Sequence, residues 1–189
     1  MNKVIVVGAG LAGCEAAWHL AEQGFQVILC DIKPKAFTPA HSNPDFAELV
    51  CSNSLKSNDV FGNACGLLKQ EMRVLGSLTM AAAEQSAVPA GGALAVDRER
   101  FAHIITQKIK QHKNIEIVCK EVGSVPAAPA IVATGPLTAG ALAEDIASVT
   151  GGGLHFYDAT APIVSADSID MSHAFSGGRY GRGDDYINC

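Results

Sequence analysis

The chain has 189 residues, of which 48% are hydrophobic and 17% charged, with a formal net charge of −5. That combination excludes intrinsic disorder, and the length suffices for one domain, or one and part of another, with a sizeable core. Charge is +1 over residues 1–120 and −6 over 121–189 with no basic stripe, so charge gives no argument for nucleic-acid binding.

The six cysteines (Cys14, Cys30, Cys51, Cys65, Cys119 and Cys189) have no metal-ligand spacing, and no metal is expected. The first apolar run stops at Gly8, too short for a secretory leader or for the roughly 20 apolar residues of a membrane span. A cytoplasmic protein with free thiols and no membrane association is expected.

Val4-Ile5-Val6-Val7 predicts a strand buried on both faces. After a glycine-rich turn a helix runs to Gln23, with Gly13, Ala16, Ala17 and Leu20 on one small-residue face and Gly24 at its C-terminal stop. Val27–Cys30 predicts a second buried strand ending at Asp31. Pro34, Pro39 and Pro44 mark an irregular loop, with a short helix expected over 45–50 and a polar turn at Cys51–Ser54.

The spacing of Leu68, Met72, Leu75, Thr79 and Ala82 predicts one amphipathic helix over 66–84, its stripe packed in the core. Ala93–Val96 reads as a strand, Asp97 as an N-cap, and Phe101, Ile104, Ile105 and Ile109 as the apolar face of the next helix. Ile115–Cys119 predicts a strand, 122–125 the start of a β-meander, Ala130–Ala133 a further strand, and 139–149 a helix. This alternation predicts an α/β fold, a Rossmann-like parallel sheet with a mostly helical insertion after the second strand. The sheet core is expected from 1–32 and 91–150, the insertion from 33–90, and the start of a substrate-side region from 151–189.

Gly8-Ala9-Gly10-Leu11-Ala12-Gly13 has the G-x-G-x-x-G spacing of a dinucleotide-binding turn. Gly8 permits the turn out of the strand, Gly10 lets a diphosphate approach the main chain, and Gly13 lets the helix pack against the strand. The helix N-terminus adds unpaired N–H groups and partial positive charge. Asp31, 18 residues after Gly13, is placed to accept hydrogen bonds from a ribose, and its charge disfavours NADP. Glycines and one acid do not separate FAD from NAD. The long insertion and a later strand ending in Ala133-Thr134-Gly135, similar to the second fingerprint of two-dinucleotide flavoproteins, favour FAD.

Five blocks then carry a closer resemblance: Val7–Gly13, Phe46–Asn58 (FAELVCSNSLKSN), Val88–Arg98 (VPAGGALAVDR), Ala133–Leu137, and Tyr157–Val164. In this order, over essentially the whole chain, they resemble the folate- and FAD-dependent tRNA (uracil-5-)-methyltransferases, the GidA-related TrmFO family. The resemblance implies methyl transfer without S-adenosylmethionine. The methylene of 5,10-methylenetetrahydrofolate reaches C5 of a uridine in the tRNA T-arm by way of the flavin, and hydride from reduced flavin, replenished by NADH or NADPH, completes the methyl group. It implies tRNA and folate as partners and no specific protein partner. Family members are more than twice this length, so an N-terminal fragment is implied, with a nucleophilic cysteine expected beyond residue 189. A flavin-binding module without transfer activity is the alternative. An S-adenosylmethionine enzyme, which also uses a glycine loop, predicts neither the Cys51 block nor the Ala-Thr-Gly strand.

By the same resemblance Cys51 is the catalytic candidate near the flavin; read alone it is equally a half-buried free thiol. The cofactor-binding candidates are Gly8, Ala9, Gly10, Leu11, Ala12, Gly13, Asp31, Lys33, Val122, Ala133, Thr134 and Gly135. Lys33 reads as an adenosine-phosphate contact or a surface charge, and Val122 as a main-chain contact to adenine or an ordinary strand residue. Cys14 is expected to pack rather than react, and His41 to be a solvated loop residue.

Overall fold

The computed structural model describes residues 3–127, 129–152, 164–177 and 187–188. Most of the Tyr157–Val164 block, and Cys189, lie outside the described residues. In chain order the elements are β1 (Lys3–Val7), α1 (Leu11–Glu22), β2 (Gln26–Asp31), β3 (Ser54–Ser57), α2 (Ala64–Val74), α3 (Leu78–Gln85), β4 (Ala87–Val88), β5 (Ala93–Val96), α4 (Arg98–Gln111), β6 (Ile115–Cys119), β7 (Ala130–Val132), α5 (Gly140–Thr150), a 3-10 turn at Ala166–Ser168, β8 (Phe175–Ser176) and β9 (Ile187–Asn188). They fall into two compact units, residues 1–50 with 102–158 and residues 51–101 with 159–189.

The first unit is a parallel sheet in the order β6-β2-β1-β7. Val4 pairs with Val27, Val27 with Ile115, and Val6 with Ile131, so the β-branched runs lie side by side. Val6, Val27 and Leu29 are fully buried, as are Ile105 and Ile109 of α4. Each such side chain contributes about 1.5–3 kcal/mol of burial. Helix α1 turns Gly13, Cys14, Ala17 and Ala21 inward. It stops where Gly24 takes φ +85°, with Phe25 N–H on Leu20 O and Gly24 N–H on Ala21 O, a left-handed cap that glycine adopts without steric cost.

The second unit holds a three-stranded antiparallel sheet, β3-β5-β4, beside α2 and α3. Ala93–Val96, expected within the parallel core, instead pairs with Ser54–Ser57 and Ala87–Val88. A four-residue apolar run carries no record of its pairing partner, and the hydrogen-bonded neighbours here come from the insertion itself. The insertion therefore carries strands as well as its helices.

Three local expectations also change. The single helix over 66–84 is two helices, because Gly76 takes φ +74° and Ser77 Oγ caps the second by accepting from Met80 N–H. The break resets the helical phase, so the predicted stripe is not a core stripe: Leu68 and Leu75 are 57% and 70% exposed, while α3 buries Leu78, Met80, Ala82 and Ala83. Residues 45–50 form no helix. Phe46 N–H donates to Thr106 Oγ and Ala47 N–H to Ala9 O, tertiary bonds in place of helical ones. Residues 122–125 form no strand, and Val125 N–H donates to Asp145 Oδ2 instead. By contrast Asp97 caps α4 through Arg100 N–H at 2.9 Å.

Candidate dinucleotide-binding site

The glycine turn leaves β1 and enters α1 at the carboxyl ends of the parallel strands, where open α/β sheets bind ligands. Its three glycines differ in what they require. Gly8 has φ +98°, and a β-carbon there would sit 2.5 Å from the Ala133 carbonyl oxygen. A β-carbon on Gly13 would collide with the Gly8 carbonyl oxygen. A β-carbon on Gly10 would meet nothing within 4 Å. The fold itself thus needs glycine at 8 and 13, while at Gly10 the missing side chain leaves open space in front of the main chain.

That space lies at the start of α1, where Gly10 is the N-cap and no side chain caps the helix. The first-turn N–H groups of Leu11, Ala12 and Gly13 have no intrahelical partner in such a position, and no acidic residue sits in the first turn. A bare donor set with partial positive charge is suited to an anion.

Asp31 closes β2 beside this turn. Its Oδ2 accepts from Ala9 N–H at 2.6 Å and its Oδ1 from Lys33 N–H at 2.8 Å. The carboxylate is half-buried, and its two oxygens offer about four acceptor sites, so two remain for a further donor. Ala133 N–H donates to Val7 O at 2.7 Å, and Thr134 Oγ lies 2.6 Å from Thr138 Oγ. The Ala133–Gly135 turn is therefore held directly against Gly8. The two motifs, at least 120 residues apart in sequence, meet at one sheet end.

Lys33 is neither a surface charge nor a free cation. It is buried, and its ammonium donates to Glu48 Oε2 at 2.7 Å and Asp45 O at 3.0 Å. Val122 sits half-buried in the loop after β6, close in sequence to Lys120, whose N–H donates to Asp31 O. Cys51 is exposed and opens the second unit, whereas every cofactor-binding candidate lies in the first. Cys14 packs: it is 1% exposed and its thiol donates to Ala9 O. Burial, reinforced by the Asp31 and Glu15 charges, pushes that thiol far up, so the helix dipole does not activate it. Burial likewise raises the Cys30 thiol.

Glu48 is the residue that sequence reasoning left without a role. The available signal was an acid between Ala47 and Leu49 in an otherwise apolar stretch. Beside the Thr134–Gly135 turn runs an open, mainly aliphatic cleft of about 350 Å³, lined in part by Val125, Val132, Ile146 and Val149. Thr134 and Gly135 line it as well, whereas the glycine turn and Asp31 do not. Among the described residues no cluster of His, Cys, Asp and Glu could hold a metal, and no helix is long and apolar enough to cross a membrane.

A family model described as glucose inhibited division protein A matches residues 3–189. The chain belongs to the GidA family. Similar curated proteins are the methylenetetrahydrofolate–tRNA-(uracil-5-)-methyltransferases TrmFO of Acetivibrio thermocellus, 58% identical over 192 residues, and of Geotalea uraniireducens, 57% identical over 191. Each match covers 100% of this chain and 44% of the relative, so the chain spans under half the length of these proteins. Among solved structures, GidA of Aquifex aeolicus superposes with a TM-score of 0.53 at 19% identity, covering 67% of this chain and 21% of that one. That likeness establishes the shared Rossmann-like fold of the GidA family in this chain.

Proposed function

We propose that this chain is the flavin-nucleotide-binding part of a folate- and FAD-dependent tRNA (uracil-5-)-methyltransferase, which forms 5-methyluridine at the T-loop uridine. The observation that carries the reading is the open Gly10 cradle at an uncapped helix N-terminus, with Asp31 alongside. The 58% identity over the whole chain to a protein of that name supports it.

FAD fits the residues present. The main chain from Gly8 to Gly13 would hold the diphosphate, Asp31 the ribose, the Val122 backbone the adenine, and the Ala133-Thr134-Gly135 turn would border the dinucleotide. When bound, FAD supplies a carrier for one-carbon and hydride equivalents. Ala9 N–H already serves Asp31, so the donors open to the diphosphate begin beyond it. The engagement of Lys33 by Glu48 favours a scaffolding part for that cation over a phosphate contact. Cys51 is the candidate thiol, proposed to assist at the uridine or the folate; a thiolate that adds to uracil C6 makes C5 nucleophilic. 5,10-Methylenetetrahydrofolate is the proposed donor, NADH or NADPH the reductant, tRNA through its T-arm the substrate, and the cytoplasm the setting.

The test feeds isotopically labelled methylenetetrahydrofolate to a full-length homologue carrying this segment, with undermethylated tRNA, FAD and NADH or NADPH as reductant. Label in 5-methyluridine is expected; label arriving only from S-adenosylmethionine overturns the reading. A second reading is a flavin module without transfer activity. The same assay on the 189-residue chain separates the two.

A further inference from the structure

Residues 33–50 form no helix or strand apart from the single turns the loop contains, and side chains hold them in place. Glu48 is central. Its Oε2 accepts from Lys33 Nζ at 2.7 Å, and its Oε1 from Ser42 N–H at 3.0 Å, Asn43 N–H at 3.1 Å and Ser42 Oγ at 3.3 Å. The ion pair is sheltered, with side chains 8% and 12% exposed. One residue earlier, Ala47 takes φ +52°, a conformation that L side chains adopt rarely, and its N–H donates to Ala9 O at 2.9 Å.

Ala9 lies between Gly8 and Gly10. Its N–H is fixed by Asp31, whose other oxygen accepts from Lys33 N–H, and Lys33 reaches Glu48. Ala9, Asp31, Lys33, Glu48 and Ala47 thus close a ring that fixes the Ala9 residue from both sides. Its amide is held from the end of β2, and its carbonyl from the 33–50 loop. Three residues beyond Glu48 along the chain stands Cys51.

We propose that Glu48 is a positioning residue that couples occupation of the glycine turn to the posture of the segment leading into Cys51. The inference rests on the FAD reading above. A dinucleotide that engages the turn in its ring-closed form favours the docked loop, and by linkage the docked loop favours the dinucleotide. Removing the Glu48 carboxylate leaves the Lys33 ammonium buried without a counter-charge and frees Ser42 and Asn43. The left-handed Ala47 then keeps its N–H on Ala9 with only the neighbouring Phe46 N–H to Thr106 Oγ bond and apolar burial to hold it.

The experiment measures, on the 189-residue chain, FAD affinity by titration and the rate of Cys51 alkylation by iodoacetamide, read on its own peptide by mass spectrometry, with and without saturating FAD. In the wild type, FAD should slow Cys51 alkylation about threefold. Glu48→Gln should weaken FAD binding about tenfold and make the alkylation rate independent of FAD, while the protein still melts cooperatively. If Glu48→Gln does not fold, the double replacement Lys33→Met/Glu48→Leu, which removes both charges while keeping apolar volume, should behave the same way. Wild-type affinity and protection in whichever variant folds, or a wild-type Cys51 rate indifferent to FAD, overturns the coupling. A wild type that takes up no FAD overturns the flavin reading, and the coupling with it.

Discussion

Gly8 and Ala133 meet back to back: a β-carbon on Gly8 would sit 2.5 Å from the Ala133 carbonyl oxygen and 2.8 Å from its carbon. The turn that leaves β1 and the turn that leaves β7 are therefore stacked with no layer of side chains between them. The same closeness recurs one step on, where Gly13 brings α1 onto the Gly8 carbonyl. The sheet end is built backbone on backbone, and this fixes where a ligand could approach.

The contrast among the glycines is directly testable. Gly13→Ala forces the first turn of α1 off the strand and should cost about 3 kcal/mol or more in a denaturant melt. Gly10→Ala has open space and an ordinary φ of −72°, so its stability should stay within about 1 kcal/mol of the wild type. Its FAD affinity should nevertheless fall about tenfold or more, since the methyl group occupies the approach to the main chain. Equal affinity in Gly10→Ala would place the diphosphate elsewhere.

Asp31 has two partners already and is proposed to take a third. Asp31→Ala removes the acceptor for Ala9 N–H and Lys33 N–H as well as for the ribose. FAD binding should weaken by roughly 1–3 kcal/mol. An unchanged dissociation constant in a fluorescence titration would remove the ribose role.

Acid should loosen the 33–50 loop before the sheet. Burial works against the charged form of Glu48, yet hydrogen bonds from Lys33, Ser42 and Asn43 together with the Lys33 charge outweigh it and hold its carboxyl below the usual range. Its contribution is therefore present above the ordinary carboxylate pKa of about 4.3 and lost as pH falls through the lower folded value. Burial first, and the Lys33 charge second, also lower the His41 pKa. The unfolded chain then takes up a proton at His41 before the folded one does, and stability declines as pH drops below about 6.5 toward the folded pKa. Protection factors over 33–50, amide exchange corrected for its intrinsic pH dependence, should fall between pH 7 and 4 with both features. Glu48→Gln should flatten the lower part of that profile, and His41→Asn the upper.

The corrected helix phase gives a fourth expectation. Leu68→Lys and Leu75→Lys alter exposed positions on or beside α2 and should change stability by less than about 0.5 kcal/mol. Leu78→Ala empties a site that is 3% exposed and should cost about 2–4 kcal/mol. If Leu68→Lys were as damaging as Leu78→Ala, a single continuous helix with one buried stripe would be the better description.

The sequence alone determined the parallel sheet's elements and the glycine turn, because both are written locally. Four consecutive β-branched residues fit the inside of a parallel sheet, and a φ of +98° at Gly8 excludes other residues. Asp97 as a cap and Gly24 as a stop are legible for the same reason, since each acts within one helical turn. Tertiary structure alone decided the rest. Ala93–Val96 could not announce its partners, because strand pairing is a long-range choice. Residues 45–50 gave up helical bonds for Thr106 and Ala9, groups far away in the chain. Lys33 and Glu48, charged residues with no local pattern to join them, acquire their role only when folding buries Lys33, shelters Glu48 and pairs the two.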